Sequence, residues 1–277
     1  MPSHAALRVL APLALLVSSA TTLLAQRQST DDWLDQCRRG DWGGHSRARF
    51  CEVRETGFKP TGQVSIDPGA NGGIDVSGWD RDSVAVTVKI QTQARTDDAA
   101  RDLARQIRIA ASGGTIRADG PSTSSGRESW SVTFEVSVPR RSDVMAETVN
   151  GPISVDDVTG KMDLRAVNGP VHLDGVGGDV HARTTNGPLV VSLNGGRWDG
   201  AGLDGETQNG PVHLTLPADY SAHLETGTVN GPVSIDFPIT IQGRFNGRRI
   251  ETDLGGGGPT IHVETMNGGV NVKKAAL

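Results

Sequence analysis

The stretch that decides the fold is residues 148–191, TVNGPISVDDVTGKMDLRAVNGPVHLDGVGGDVHARTTNGPLVV, in which the triplet Asn-Gly-Pro recurs. The triplets begin at Asn150, Asn168 and Asn186, so the step between them is 18 residues each time. Further copies begin at Asn209 and Asn230, and a copy that lacks the proline begins at Asn267. A fixed period of this kind indicates a repeat architecture.

Each copy is followed by the alternation that is typical of a strand with one buried face. Apolar residues lie three and five positions after each asparagine, as in Ile153 and Val155. A second alternating run follows a glycine ten residues after the asparagine, and these glycines are taken as a second corner: Gly160, Gly178 and Gly196. No unit can bury its apolar face alone, but stacked units can.

The sequence therefore predicts an all-β protein: a β-solenoid or β-helix-like stack of Asn-Gly-Pro rungs of about 18 residues. Its strand-rich front part is expected to carry one short helix, and the longer steps to reflect insertions that loop out, as around RWDGAGLDG at residues 197–205. The alternative is an antiparallel β-sandwich of meanders, which also needs a turn every 8 to 12 residues or so.

The proline explains what the turn is for. Asn-Gly usually marks a two-residue hairpin, but proline lacks the N–H that would close it. A corner at which a strand begins does not need that N–H. The asparagines, one per rung, are expected to hydrogen-bond along the stack. The predicted structural-turn residues are Asn150, Gly151, Asn168, Gly169, Asn186, Gly187, Asn209, Gly210, Asn230, Gly231, Asn267 and Gly268.

The N-terminal residues have the pattern of a secretory signal peptide. A basic start is followed by an apolar run and by small residues near Ala20 and Ala25, and the run is too short to span a bilayer. Cys37 and Cys51 are the cysteines of the chain, and in an exported protein such a pair indicates one disulfide. We expect an exported protein of the periplasm, cell surface or extracellular space that does not span the membrane once the signal is removed.

Four segments follow from these patterns. Residues 1–25 are the predicted signal peptide, and residues 26–56 an N-terminal segment with one disulfide loop and no more than a short helical turn near Trp33. Residues 57–140 form the front β part, with a short helix over residues 97–107 for which Thr96 is the candidate N-cap. Residues 141–274 form the Asn-Gly repeat solenoid, and residues 57–274 are expected to be one continuous domain.

Composition limits the class of partner. The formal net charge is −5, and lysine and arginine are dispersed along the chain. This argues against nucleic acid as the partner. Glycine is abundant, with 36 residues against 5 Phe and 1 Tyr, as suits a chain with many turns and few large core residues.

Several stretches resemble a known family. NGGIDVSGWDRDSVAVTV, VTFEVSVP, the repeated TVNGP and LPADYSAHLETGTVNGP are similar to the bacterial "putative adhesin" family of unknown function, which is built from β-strand repeats. The similarity extends from about Gly57 to Val272. It implies an exported or envelope protein with a β-solenoid-like domain, and it brings no catalytic residues.

Candidate residues for chemistry are few. A β-helical enzyme that acts on polysaccharide would use carboxylates grouped on one face, and the candidates are Asp156, Asp157, Asp163, Asp174 and Asp179. Aspartate is also common at corners for turn reasons alone. Histidines alternate with acids and arginines on the second strand of the units, but a metal site needs three or four converging ligands. No P-loop, G-x-G-x-x-G or G-x-S-x-G motif is present.

These observations predict an exported, non-enzymatic β-repeat protein that acts as an adhesin-like binding or structural module of the cell envelope. No catalytic residue, cofactor or metal ligand is assigned, and the partner is expected to be an unknown protein or an envelope polymer. Two alternatives stay open: a β-helical enzyme that acts on polysaccharide, and an envelope regulatory component that binds a protein through its front half.

Overall fold

The computed structural model of the chain describes residues 30–39, 47–122, 128–236, 244–245 and 247–275. The predicted signal peptide lies outside these residues. The chain divides into two compact units, residues 1–44 and residues 45–277. In the first unit, helix α1 covers residues 30–39, where the sequence analysis expected no more than a short turn near Trp33. Asp31 and Asp32 lie in its first turn, where carboxylates favour a helix. Cys37 and Cys51 are both disulfide-bonded.

The second unit begins with a front part and continues into the repeats. The front elements are β1 (Ala48–Phe58), β2 (Val64–Asp67), β3 (Ile74–Trp79), β4 (Val84–Ala94), α2 (Asp97–Gln106), β5 (Arg108–Ser112), β6 (Thr115–Asp119) and β7 (Ser129–Pro139). The first repeat strands are β8 (Val144–Asn150), β9 (Ile153–Asp156), β10 (Thr159–Asn168), β11 (Val171–Asp174), β12 (Gly177–Asn186) and β13 (Leu189–Ser192). The later ones are β14 (Gly202–Asn209), β15 (Val212–Leu216), β16 (Ala222–Asn230), β17 (Val233–Asp236), β18 (Arg244–Phe245), β19 (Arg249–Leu254), β20 (Thr260–Asn267) and β21 (Val270–Lys274).

The strands form two sheets. In sheet I the order is β1-β4-β7-β3-β9-β11-β13-β15-β21-β17, and in sheet II it is β18-β19-β16-β20-β14-β12-β10-β8-β2-β6-β5. Each rung contributes one strand to sheet II and the next to sheet I, and a corner at the Asn-Gly copy joins them. β1 crosses residues 56 and 57, where the sequence analysis placed a segment boundary.

Successive rungs pair in parallel and in register, which confirms the β-solenoid-like fold and excludes meanders for the repeats. Val155, Leu173 and Val191 are register partners in sheet I and are almost completely buried. Leu164 and Ala182 form an equivalent pair in sheet II, and one hydrophobic core contains residues of both sheets. Burial of these columns is the main source of stability that the repeat pattern offers.

The order of the rungs in the stack differs from their order in the chain. β20 lies between β14 and β16, and β21 lies between β15 and β17. The final Asn-Gly copy, at Asn267, therefore stands between the copies at Asn209 and Asn230. β19 pairs antiparallel with the other edge of β16, so the chain passes the end of the stack before it returns to fill an inner place.

The insertion at residues 197–205 does not simply loop out, as the sequence analysis expected. Trp198 is 2% exposed, and its indole nitrogen donates a hydrogen bond to the carbonyl oxygen of Gly178 at 3.0 Å. The second corner changes accordingly: Gly200, and not Gly196, packs against the backbone of Gly178. The insertion thus adds an anchor to the core.

Helix α2 packs against β4 and β1 at the front of the second unit. The Thr96 hydroxyl accepts a hydrogen bond from the backbone N–H of Ala99 at 3.2 Å, and Asp97 and Asp98 occupy the first turn. Ala100, Leu103 and Ala104 are buried. The helix therefore presents a narrow apolar face to the sheet and a charged face to solvent.

Candidate functional site

The asparagines of the predicted turns form one continuous column along the corner. From Asn150 onward in the stack, the side-chain amide nitrogen of each asparagine donates a hydrogen bond to the side-chain oxygen of the asparagine in the preceding rung of the stack. The donor–acceptor distances are 2.9 or 3.0 Å. The column runs in the order Asn71, Asn150, Asn168, Asn186, Asn209, Asn267 and Asn230. These residues maintain the register of the stack, because an asparagine that slipped by one position would lose both of its neighbours.

The glycine and the proline of each triplet suit the corner for different structural reasons. A Cβ atom on Gly169 would overlap the carbonyl oxygen of Gly151, and Gly187 stands in the same relation to Gly169. The backbone N–H of Gly169 donates to Asn186 O at 3.0 Å, and the N–H of Val171 donates to Pro188 O at 3.0 Å. The nitrogen of the proline lies between these two donors, so the missing proton costs no bond between rungs.

The outer face of sheet II carries the side chains with the richest chemistry. Two rows of polar residues cross its strands. The first row, in register, is Asp163, His181, Asp204, His262 and Glu225. The second row is Glu147, Arg165, Arg183, Glu206 and Glu264. We call this surface the sheet II face.

Ion pairs connect the two rows. Arg165 contacts Glu147 at 2.9 Å and Asp163 at 2.6 Å. Arg183 contacts Asp204 at 3.1 Å and Glu206 at 3.2 Å. The face is nevertheless acidic, because carboxylates outnumber cations among its described side chains. The carboxylates are Asp67, Asp119, Glu147, Asp163, Asp179, Asp204, Glu206, Glu225, Glu251, Asp253 and Glu264, and the lysine and arginine residues are Arg108, Arg117, Lys161, Arg165, Arg183 and Arg249.

Three histidines on this face lie beside carboxylates. His223 Nδ1 lies 2.7 Å from Asp253 Oδ1, and this hydrogen bond raises the pKa of His223 above its ordinary value of 6.5. His262 Nδ1 lies 3.2 Å from Glu225 Oε2, and His181 Nδ1 lies 3.3 Å from Asp204 Oδ2. The hydrogen bond to Asp253 makes the His223 imidazolium more favourable than that of an isolated surface histidine.

An apolar row borders the charged rows. The residue before the ladder asparagine is apolar in several rungs, and these side chains are exposed by 43% to 58%: Val149, Val167, Val229 and Met266. Between the rows lies an open groove of about 510 Å³, which Arg183, Glu206 and Met266 help to line. Charged and apolar side chains therefore meet along one groove that runs across the rungs.

One group on this face has the composition of a metal site. Within the described part of the chain, Asp204, Glu206 and His262 bring ligand atoms within 4.8 Å of one another, and all three are half-buried. Sequence reasoning missed this group because His262 lies far from Asp204 in the chain. Only the insertion of β20 beside β14 makes the two residues register partners.

The carboxylates that the sequence suggested for catalysis are divided between surfaces. Asp156 and Asp174 are register partners on sheet I, and burial raises the pKa of Asp156. Asp157 lies at the corner with a φ of 57° and pairs with Arg140 at 3.1 Å. Asp163 and Asp179 lie on sheet II. The five residues thus do not converge on one pocket.

His172 and His213 lie on the outer face of sheet I, where Val190 is the register partner of both. Both imidazoles are exposed. None of the described helices is long and apolar enough to cross a membrane.

A family model described as Toastrack DUF4097 matches residues 71–273. No curated protein matches the sequence significantly.

Several solved structures match this chain at low sequence identity. A "putative cell adhesion protein" from Clostridium sporogenes has 12% sequence identity and a TM-score of 0.46, and the match covers 82% of this chain and all of that one. A "putative adhesin" from Bacteroides fragilis has 12% identity and a TM-score of 0.40, with 81% and 97% of the two chains covered. A "putative lipid binding protein" from Parabacteroides distasonis has 10% identity and a TM-score of 0.33, with 82% and 97% covered.

Proposed function

The chain belongs to the Toastrack DUF4097 family, and from this premise we propose that it is an exported, non-enzymatic, adhesin-like binding module of the cell envelope. Its binding surface is the groove of the sheet II face, and its partner is an extended polymer of the envelope. The observation that carries the proposal is the groove itself, where ion pairs run across the parallel rungs beside exposed apolar side chains, which Thr185 and Gln208 interrupt in the two middle rungs.

The geometry suits a long ligand with a short repeat. Parallel rungs lie about 4.8 Å apart, so equivalent side chains recur at that spacing along the groove. A repeat protein uses such an array to contact an extended partner at many weak points. Exposed aliphatic side chains beside charged ones offer the mixed contacts that a polysaccharide or peptide polymer makes with protein surfaces.

The charge of the face limits the partner further. Because carboxylates outnumber the lysine and arginine side chains described on it, a strongly anionic polymer is disfavoured. A polymer that carries amino groups beside its carboxylates, such as the glycan and peptide network of a cell wall, is repelled less than a polyanion. Nucleic acid is disfavoured for the same reason.

Export is supported by two features of the N-terminal part. Residues 1–25 have the sequence pattern of a signal peptide, and Cys37 and Cys51 are disulfide-bonded, which is typical of oxidising compartments. We therefore place the mature protein, from about residue 26, in the periplasm or at the cell surface. Mass spectrometry of protein recovered from fractionated cells tests this, since full-length chain in the cytoplasmic fraction contradicts it.

The binding test uses tag-free mature protein and insoluble cell-wall sacculi as the probe. We expect wild-type protein to cosediment with sacculi and a Val167→Glu, Met266→Glu double variant to stay in the supernatant. Val190→Glu is the matched control, because Val190 points outward from sheet I and away from the groove. Equal cosedimentation of wild type and double variant, or no cosedimentation of wild type, overturns the proposal.

A further inference from the structure

The group formed by Asp204, Glu206 and His262 combines two carboxylates and one imidazole on two hydrogen-bonded strands. Asp204 and Glu206 are two residues apart in β14, so both side chains point outward from the sheet. His262, in β20, is the register partner of Asp204. The ligand atoms of all three lie within 4.8 Å of one another, a spread that small rotamer changes reduce to the separations found around a single ion.

The backbone beneath these residues holds them in place. β12, β14 and β20 pair in parallel, and His181 and His262 flank Asp204 as its register partners. His181 Nδ1 lies 3.3 Å from Asp204 Oδ2, so it orients the carboxylate from the side opposite His262. The side chains of Asp204, Glu206 and His262 are 33%, 44% and 25% exposed. Ligands on a paired sheet lose little conformational freedom on binding, which favours a site.

We propose that Asp204, Glu206 and His262 form a binding site for a divalent transition-metal ion of the zinc class, with water completing the coordination. Imidazole nitrogen together with carboxylate oxygen suits zinc, copper or nickel, whereas magnesium and calcium prefer oxygen alone. Three protein ligands with an open position is a common arrangement for zinc. Neither the family nor the predicted binding role assigns a metal to these residues.

Arg183 is the competitor for this site. Its guanidinium group contacts Asp204 Oδ2 at 3.1 Å and Glu206 Oε2 at 3.2 Å, so it engages one oxygen of each carboxylate in the group. Binding of a metal ion therefore competes with Arg183 for the carboxylates, and it also requires one imidazole nitrogen of His262 to leave its carboxylate neighbour, which is Glu225 for Nδ1 at 3.2 Å and Glu264 for Nε2 at 3.6 Å. The pairs are solvent-accessible and therefore weak, so an ion that bonds to all three ligands displaces the arginine.

The same face contains an equivalent pair of an aspartate and a histidine that has no third metal ligand beside it. In the first row Asp163 and His181 are register partners, as Asp204 and His262 are. Two residues after Asp163, however, the chain has Arg165 where β14 has Glu206, and Arg165 pairs with Asp163 at 2.6 Å. The two positions thus differ in the residue that decides whether a third ligand is present.

The test is isothermal titration calorimetry, in which zinc chloride is added to tag-free, chelator-treated protein. We expect one ion per chain, and at least about tenfold weaker affinity in Asp204→Asn and in His262→Gln. Asp163→Asn and His213→Gln, which alter a carboxylate and a histidine outside the site, should bind as the wild type does. Arg183→Gln should bind zinc several-fold more tightly, because the competing cation is gone.

Two spectroscopic measurements test the site independently of calorimetry. Cobalt(II) bound to the wild type should give visible absorption bands that zinc abolishes, and the imidazole resonances of His262 should move in NMR spectra when zinc is added. Wild-type affinity in His262→Gln, or no binding of zinc at millimolar concentration, overturns the site. The sacculus test uses Val167 and Met266 and no metal ligand, so failure of either test is distinguishable from failure of the other.

Discussion

The side-chain amide of Asn267 donates a hydrogen bond to Asn209 Oδ1 at 2.9 Å, and Asn267 in turn accepts one from Asn230 at 2.9 Å. The last asparagine of the repeat series thus connects two asparagines that precede it in the chain. The strands around it, β20 and β21, fill the place between β14/β15 and β16/β17.

This relationship predicts that a C-terminal truncation damages the interior of the stack. A chain that ends at Pro259 lacks β20 and β21, so the facing edges of β14 and β16 lose their partners. We expect a large fall in melting temperature and rapid protease cleavage between residues 212 and 258. Asn271→Ser in the full-length chain is the control for β21 and should change the melting temperature much less, because it keeps both strands in place. A truncated chain that melted like the full chain would show that β16 and β17 can join β14 and β15 directly.

The asparagine column predicts a modest loss of stability that is less than additive for neighbouring rungs, because Asn168 and Asn186 share a hydrogen bond. Asn168→Ala and Asn186→Ala each remove side-chain hydrogen bonds at the corner, and each should cost about 1 kcal/mol of unfolding free energy. Urea denaturation followed by circular dichroism measures this. Ser234→Ala, on an exposed side chain of the terminal strand of sheet I, is a control. An unchanged midpoint in the double variant would contradict a structural role for the column.

The glycines of the corner predict a much larger loss than the asparagines. A Cβ atom on Gly187 would overlap the carbonyl oxygen of Gly169, and rigid backbone on both sides leaves no room for relaxation. Gly187→Ala should therefore destabilise the fold by more than about 2 kcal/mol. Gly196→Ala is the matched control, because nothing lies within 4 Å of a Cβ atom there. Equal stability of the two variants in the same denaturation experiment would mean that rungs are farther apart at this corner than the structure shows.

The sequence predicts the rungs well because their information is local. The alternation after Asn150 and Asn168 marks the strands, and the fixed step places Val155 and Leu173 in one column. The order of the last rungs is not local. Repeats with the same register fit equally well beside several neighbours, so nothing near Asn267 reveals that it stands between Asn209 and Asn230.

The group formed by Asp204, Glu206 and His262 could not be predicted from the sequence for the same reason. His262 and Asp204 become neighbours only through the inserted rung, and a reading in chain order leaves them apart. Trp198 was missed for a different reason: it is surrounded by glycine and aspartate, a composition typical of loops, yet its indole is buried. Short insertions between repeats can therefore carry core residues that composition does not indicate.

The pair of His223 and Asp253 predicts a pH dependence near neutrality. The hydrogen bond between them raises the pKa of His223 above 6.5, so the folded state holds its proton more tightly than the unfolded state does. The stabilisation is fully present below about pH 6.5 and is lost as the pH rises through the raised value. NMR titration should show the raised pKa in the wild type and a lower one in Asp253→Asn. The same His223 pKa in both proteins would remove Asp253 as the cause.

Tyr220 predicts a second pH dependence, at alkaline pH. The ionisation of Tyr220 can be measured without labels, because Tyr220 is the one tyrosine of the chain. Its side chain is buried, and loss of solvation raises the pKa of Tyr220 from 10.0 to about 12. Below about pH 10 the phenol is neutral in both states and has no effect on stability. Between the two values the unfolded state loses its proton first, so the unfolding free energy falls as the pH rises. The near-ultraviolet absorbance of the ionised phenol should show a midpoint well above 10 in the folded protein. Tyr220→Phe should abolish the transition. A midpoint at 10 in the folded protein would mean that Tyr220 is solvated, and that the connection between β15 and β16 does not close over the core.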